Sequence, residues 1–289
     1  MEEINDLGVH ALVWAGDTSR DAVRHIVTST ADAGYDLVEF SLHDSLNMDV
    51  PGTRELLQAR GLGVVCSRGL AFDADVSSED AATVERGARL LQDSLEVTDR
   101  LGGRIFTGAL YSALGKYPAP LSRGGRANVV RVLRELAQEA AARGVTLGLE
   151  ICNRYETNVV NTASEALRLA DDIGRDNVVL HLDIYHMNIE ENDFVAPVLA
   201  AGDRLGYVHI GENHRGYLGS GHLDFAAFFH ALAAIGYAGP ITFESFSSAV
   251  VARGLSNDLA IWRNLWDDGM DLATHARAFL DNAVRAARR

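Results

Sequence analysis

The sequence predicts a closed barrel of eight parallel strands, each followed by a helix, and three observations carry that prediction. Eight short apolar runs recur along the 289 residues. Amphipathic stretches separate them, so one strand–helix unit takes about 30 to 35 residues, and a (β/α)8 barrel commonly uses about 250. After Val13 the chain reads WAGDTSRD, without the GxGxxG turn that an open doubly wound sheet would want after its first strand.

The apolar runs are Val9 to Trp14, Leu37 to Phe40, Gly63 to Cys66, Ile105 to Leu110, Val145 to Ile151, Val178 to Ile184, Leu205 to Gly211 and Ile241 to Phe246. Each has the length of a strand buried on both faces, as a parallel sheet requires. Between them, Val84, Ala88, Leu91 and Leu95 recur at helical spacing, as do Val129, Leu133, Leu136 and Ala140. Phe225, Phe228, Phe229, Leu232 and Ile235 make a third stripe. Such stripes are the core-facing sides of helices. Gly34, Gly61, Gly144 and Gly236 stand where these helices should stop, because glycine enters the left-handed conformation that closes a helix. Only five prolines occur and no Pro-, Gly- or Ser-rich linker interrupts the pattern, so residues 1–289 read as one barrel domain. The stretch from about 258 to 289, with Trp262, Leu265 and Trp266, reads as helical: the final barrel helix plus an extension suited to packing on a partner subunit.

Composition narrows the function classes. Twenty-six basic against 40 acidic residues give a formal charge of −14, which repels phosphate backbones and argues against nucleic acid as a partner. No apolar run reaches the roughly 18 residues that cross a bilayer. The opening MEEINDLGVH is acidic and lacks the apolar core of a secretory leader. Cys66 and Cys152 sit in apolar runs outside any CxxC motif, which reads as buried thiols in a reducing cytoplasm.

Chemistry in such a barrel collects at the C-terminal ends of the strands. Four strand ends carry a side chain able to hold a metal: Glu150 after VTLGL, Asp183 after VVLHL, His209 after LGYV and Glu244 after PITF. The intervals of 33, 26 and 35 residues are each close to one repeat, so the four belong to consecutive strands. Singly, an acid at a strand end reads as a helix cap and an isolated histidine as a hydrogen-bonded core residue. Together they place three carboxylates and an imidazole in one dry mouth, and a divalent cation best offsets that repulsion. Oxygen-rich ligation with one imidazole favours Mn2+ or Mg2+, with Co2+ possible, over zinc. Glu156, His186 and Arg215 lie on the adjoining loops, where they could hydrogen-bond a polyhydroxylated substrate. No glycine-rich phosphate cradle is present, which favours a free sugar over a sugar phosphate.

The strings LGLEICNRYET, HLDIYHMNIEE, YVHIGENHRGYLGSGHLDF and IGYAGPITFESF resemble the ketose 3-epimerases, the D-tagatose 3-epimerase family of xylose-isomerase-like barrels. The similarity runs from about Gly8 to the C-terminal helix. The strings LYSALGKY, NRYETNV, FESFSSAVV and IWRNLW bring the chain nearest the L-ribulose and D-allulose 3-epimerase branch. The resemblance implies Glu150, Asp183, His209 and Glu244 as metal ligands, with Glu150 and Glu244 also as the two catalytic acid/bases. It implies Glu156, His186 and Arg215 at the O1–O2 end of the sugar and His10 on the pocket wall. It also implies a dimer or tetramer. Trp14 reads as pocket wall or core. Arg68, in CSRGL, departs from the small or apolar residue expected there. It could point out of the mouth, pair with an acid such as Glu39 or Asp73, or alter what the far end of the sugar touches, which bears on substrate preference and not on the reaction type.

The chemistry is consistent with that assignment. Inverting C3 of a ketose such as D-fructose, L-ribulose or D-tagatose needs a proton removed beside a carbonyl and another delivered from the opposite face. A metal bound to O2 and O3 would stabilise the cis-enediolate, and two glutamates would serve the two faces. An aldose–ketose isomerase or ketose 4-epimerase on the same barrel is the nearest rival. An abasic-site endonuclease is a remote one, disfavoured by the acidic surface and the small ligand set. His181, His214 and His222 are expected in core, loop-positioning and surface roles.

Overall fold

A computed structural model describes residues 5–43 and 48–289; the first four residues of the acidic N-terminal stretch lie outside it. Eight parallel strands close into a barrel in sequence order. They are β1 (Leu7–His10), β2 (Leu37–Ser41), β3 (Gly63–Ser67), β4 (Ile105–Thr107), β5 (Thr146–Glu150), β6 (Val178–Asp183), β7 (Leu205–Ile210) and β8 (Ile241–Phe243). β8 pairs with β1 through Leu7–Ile241 and Val9–Phe243, which completes the ring.

Several strands are shorter than their apolar runs, because the chain turns where a polar or glycine residue allows it. After β1 the His10 Nδ1 accepts the Leu12 N–H, and Ala11–Val13 form a 3-10 turn. After β4 the chain turns at Gly108, whose φ is +112°. A Cβ there would lie 2.4 Å from the Arg68 carbonyl oxygen, so both the backbone angle and the contact demand glycine.

The surrounding helices are α1 (Arg20–Asp32), α2 (Val50–Arg60), α3 (Ala81–Leu101), α4 (Arg123–Ala142), α5 (Ala163–Ile173), α6 (Ile184–Glu190), α7 (Ala196–Ala201), α8 (Phe225–Ala234), α9 (Arg253–Asp258) and α10 (Gly269–Ala287). The stripes read from sequence are their buried faces: Val84, Leu91 and Leu95 on α3, Val129, Leu133, Leu136 and Ala140 on α4, and Phe225, Phe228, Phe229 and Leu232 on α8. These faces and the outer sides of the strands form the main core. Ser19, Asp80, Ser122, Thr162 and Asp224 cap helix N-termini with side-chain oxygens. Gly34, Gly61, Gly144 and Gly236 all have φ between +67° and +80°. In the C-terminal stretch, α10 packs against α8, β1 and β8, with Leu272, Ala276 and Leu280 buried. Among the described residues no helix is long and apolar enough to cross a membrane.

The strand period of two divides the barrel interior from the helix layer. Leu37, Val65 and Tyr207 fill the interior, with Ile105 against them. Gly8 and Gly148 make room for polar side chains above: a Cβ on either would lie 2.4 Å from Thr242 Oγ1 or Thr107 Oγ1 respectively. The β6–β7 register shifts between Leu180 and His181, so Asp183 comes level with His209 at the mouth.

Candidate functional site

Glu150 ends β5, Asp183 ends β6, His209 lies near the end of β7, and Glu244 follows β8. Each of the four offers a ligand atom within 4.8 Å of the others'. His209 Nδ1 lies 3.5 Å from a Glu150 oxygen, 3.5 Å from a Glu244 oxygen and 3.9 Å from Asp183 Oδ2. That nitrogen is fully buried and has no hydrogen-bond partner among the described residues. The opposite nitrogen, Nε2, lies 2.6 Å from Glu39 Oε2. An unpaired imidazole lone pair aimed among three carboxylates fits a divalent cation, by both donor chemistry and charge.

Two three-residue groups overlap this one, Glu150–His181–His209 and Glu150–Cys152–His186. The second is a poor metal site because burial pushes the Cys152 thiol well up, and the ligand would have to be the thiolate. In the first, His181 faces Thr107 Oγ1 through Nδ1 at 2.8 Å and stands edge-on to His209. It serves as interior packing beneath the four-residue group.

The site's charges are distributed unequally. Burial lifts the Glu150 carboxyl to about 7, against the pull of His209. Burial lifts Asp183 to about 6, although Arg215 opposes the shift. Burial would raise Glu244 as well, but the Arg215 and His209 charges hold it near 2. Arg215 bonds Glu244 directly, approaches Asp183 Oδ2 at 3.2 Å, and lies over the Tyr185 ring at 3.7 Å. Its backbone takes φ +64°, rare outside glycine, and is held by its N–H on Glu212 O and by Ser245 Oγ on its carbonyl. Glu212 is itself buried and accepts the Gly219 and Asn213 N–H groups, which folds the loop that carries Arg215.

The remaining candidates surround the same space. His186 is buried on α6, with Nε2 3.6 Å from Asp183, 3.9 Å from Glu150 and 4.0 Å from Glu156. Glu156 accepts the Asn153 amide at 2.9 Å. His10 is buried with Nε2 3.5 Å from Glu39 and its ring edge-on to Phe246. These side chains line one cavity of about 250 Å3 at the barrel mouth. His43, Arg68 and Trp262 line it on other sides. Trp14 is buried in the core beside His25. His214 accepts the Gly216 N–H within its loop, and His222 is exposed. Cys66 and Cys152 are both free and buried.

Arg68 corrects an expectation. It pairs with neither Glu39 nor Asp73, and it is half-buried on the cavity wall. Its guanidinium bonds the Leu42 carbonyl and lies 3.2 Å from Ser94 Oγ on α3. Leu42 follows β2, and its carbonyl accepts from the long Arg68 side chain. Two contributors were missed from the sequence. Asn153 holds His186 by both its N–H and its amide. Glu39 holds His209; its one signal was a lone acid inside the apolar string LVEFS.

Residues 27–281 match the family model described as xylose isomerase-like TIM barrel. The chain is 53% identical over 275 residues to an L-ribulose 3-epimerase of Methylomonas sp., covering 95% of this chain and 96% of the relative. It is 47% identical over 280 residues to a ketose 3-epimerase of Arthrobacter globiformis, with 97% of each covered. A crystal structure of D-allulose 3-epimerase from Methylomonas sp. in complex with D-allulose superposes with a TM-score of 0.95 at 52% identity, covering 97% of this chain and 98% of that one.

Proposed function

The chain belongs to the ketose 3-epimerases of the xylose isomerase-like TIM-barrel family and is an isomerase, and from that premise we propose that it inverts C3 of free ketoses by proton transfer between Glu150 and Glu244. The observation that carries this reading is geometric: Glu150 at the end of β5 and Glu244 after β8 each hold a carboxylate oxygen 3.5 Å from the one His209 Nδ1, so two acids from different strands flank a single point of the mouth. L-Ribulose, D-fructose/D-allulose and D-tagatose are the substrate candidates, and L-ribulose and D-allulose are the sugars in the names of the relatives.

In this reading Glu150, Asp183, His209 and Glu244 hold a divalent cation, Mn2+ in first place. When bound, such a cation polarises the ketose carbonyl as a Lewis acid. Glu244, ionised beside Arg215, takes the C3 proton of one epimer through a carboxylate oxygen. Glu150, on the other strand, returns a proton to the opposite face. In the reverse direction the roles exchange, as a freely reversible epimerisation requires. His186, its proton on Nε2, donates to the substrate oxygen on which charge collects, and Arg215 adds its own positive charge there. Glu156 anchors the adjacent hydroxyl end, and His10 with Phe246 forms an apolar wall that excludes water.

The test is NMR of D-fructose and of L-ribulose incubated in D2O with Mn2+-loaded protein and with a chelator-stripped control. The expected result is cation-dependent deuterium at C3 together with the C3 epimer. Label at C1 or C2 with an aldose product would make it an aldose–ketose isomerase instead, and inversion at C4 a 4-epimerase.

A further inference from the structure

We propose that Glu39, at the centre of β2, is a positioning residue that sets cation affinity by fixing the orientation and tautomer of His209 from inside the barrel. The inference rests on the cation site of the preceding section. Glu39 is 0% exposed, and its Oε2 takes two donors, His209 Nε2 at 2.6 Å and Tyr207 OH at 2.7 Å. Thr242 Oγ1 lies 2.5 Å from the Tyr207 hydroxyl, so the contact runs from β2 across the barrel to β7 and β8, the strands that carry His209 and Glu244. Oε1 faces His10 Nε2 at 3.5 Å.

A carboxylate taken fully out of water is expensive unless it is paired. Tyr207 and Thr242 could satisfy each other and a neutral amide just as well. What a carboxylate does that an amide cannot is hold the Nε2 proton of His209 strongly and raise the basicity of the ring. With its proton held at Nε2, His209 must present the Nδ1 lone pair, the atom that faces Glu150, Asp183 and Glu244 without a hydrogen bond. A carboxylate behind a ligating histidine typically changes metal affinity by about 10- to 100-fold. The same carboxylate confronts His10 on the pocket wall, so one buried charge fixes the cation ligand and a wall residue.

The experiment is calorimetric titration of stripped wild-type, Glu39→Gln and Tyr207→Phe proteins with MnCl2, with thermal unfolding of each. Glu39→Gln should bind Mn2+ about 10- to 100-fold more weakly. Tyr207→Phe removes a donor to Glu39 and keeps the His209 contact; it should stay within about threefold of wild type. Equal affinity in wild type and Glu39→Gln overturns the proposal, as does equal weakening by Tyr207→Phe, which would make the network merely structural. Absence of Mn2+ binding in wild type would instead overturn the cation site itself. Should Glu39→Gln fail to fold, nitrogen-15 spectra of histidine-labelled wild-type protein titrated with MgCl2 decide the matter. The ring that responds should carry its proton on Nε2 and shift at Nδ1. A responding ring protonated on Nδ1 overturns the proposal.

Discussion

His186 Nδ1 accepts the Asn153 backbone N–H at 3.1 Å, and the Asn153 side-chain amide reaches the same nitrogen at 2.8 Å. The ring proton therefore sits on Nε2, the nitrogen that faces Asp183, Glu150 and Glu156. Burial moreover lowers His186 to about 4, so it is a neutral donor at physiological pH. His186→Gln should cut kcat by about 10²- to 10³-fold, the usual loss on removing one donor to developing charge. Mn2+ affinity should hardly change. Steady-state kinetics beside calorimetry check this; a variant that keeps more than half of its kcat would remove His186 from the reaction.

Glu150→Gln and Glu244→Gln should each reduce interconversion of C3 epimers by at least about 10²- to 10⁴-fold, the range for a lost acid/base. Because both also face His209, the assay is run at saturating Mn2+. Neither variant should turn one epimer into the other, while deuterium from solvent still enters C3 of the epimer whose proton faces the surviving glutamate. Substantial conversion by either variant would contradict a two-base inversion.

The pH dependence follows from the same carboxyls. Without a cation, Glu150 holds its proton up to about 7 and Asp183 up to about 6. A cation must displace those protons. Mn2+ binding should therefore weaken as pH falls below 7 and release protons from Glu150, Asp183 and His209, seen as a buffer-dependent binding heat that is larger at pH 6.5 than at pH 8. Stability of the stripped protein carries the matching sign. In the unfolded chain a glutamate titrates near 4.3 and a histidine near 6.5. Above pH 6.5 the folded protein binds more protons than the unfolded one, through Glu150 and through His209, where Glu39 and Glu244 outweigh the opposing effect of burial. Stability then falls as pH rises from 6.5 through the folded values. The buried neutral rings of His10, His181 and His186 act in the opposite direction, an effect that reaches about one unit above 6.5, so the fall in stability there is the difference of the two. Thermal unfolding at pH 6.5 and 8, with and without Mn2+, checks both signs; a stripped protein more stable at pH 8 would refute the assignment.

The barrel was legible because its signals are local. Apolar runs, helical stripes and stop glycines each report one element, and the acids at VTLGL–Glu150 and PITF–Glu244 stand out against their strands. What escaped depends on distance across the barrel. Glu39 finds its partners on β7, 168 and 170 residues away. Asn153 acts on His186, 33 residues away, through a backbone N–H, which any residue type would supply, and through a side-chain amide whose partner the sequence does not name. Arg68 misled because charge pairing is the obvious fate of a buried cation, whereas a carbonyl acceptor carries no signal in sequence. The length of β4 was overestimated for a similar reason: Gly108 looks like any other small residue in IFTGAL until the Arg68 carbonyl is placed against it.

Arg68 carries the last prediction, which concerns substrate choice. The cation group occupies β5 to β8, so the opposite cavity wall, with His43 and Arg68, lies on the β2 and β3 side. A ketose held at O1 to O3 by the first wall presents its remaining carbons to the second. The Arg68 guanidinium ties down the Leu42 carbonyl, and the next residue, His43, is hydrogen-bonded to Ser41 at 2.5 Å. His43 is exposed, at the edge of the cavity. Arg68→Met keeps the stem that lines the cavity and removes the tether. Mn2+ affinity should be unaffected, because no cation ligand touches Arg68. The ratio of kcat/KM for a six-carbon to a five-carbon ketose should shift by roughly 10-fold, the scale of one lost pocket contact. An unchanged ratio with an unchanged melting temperature would assign Arg68 to the wall alone and leave discrimination to other residues of the mouth.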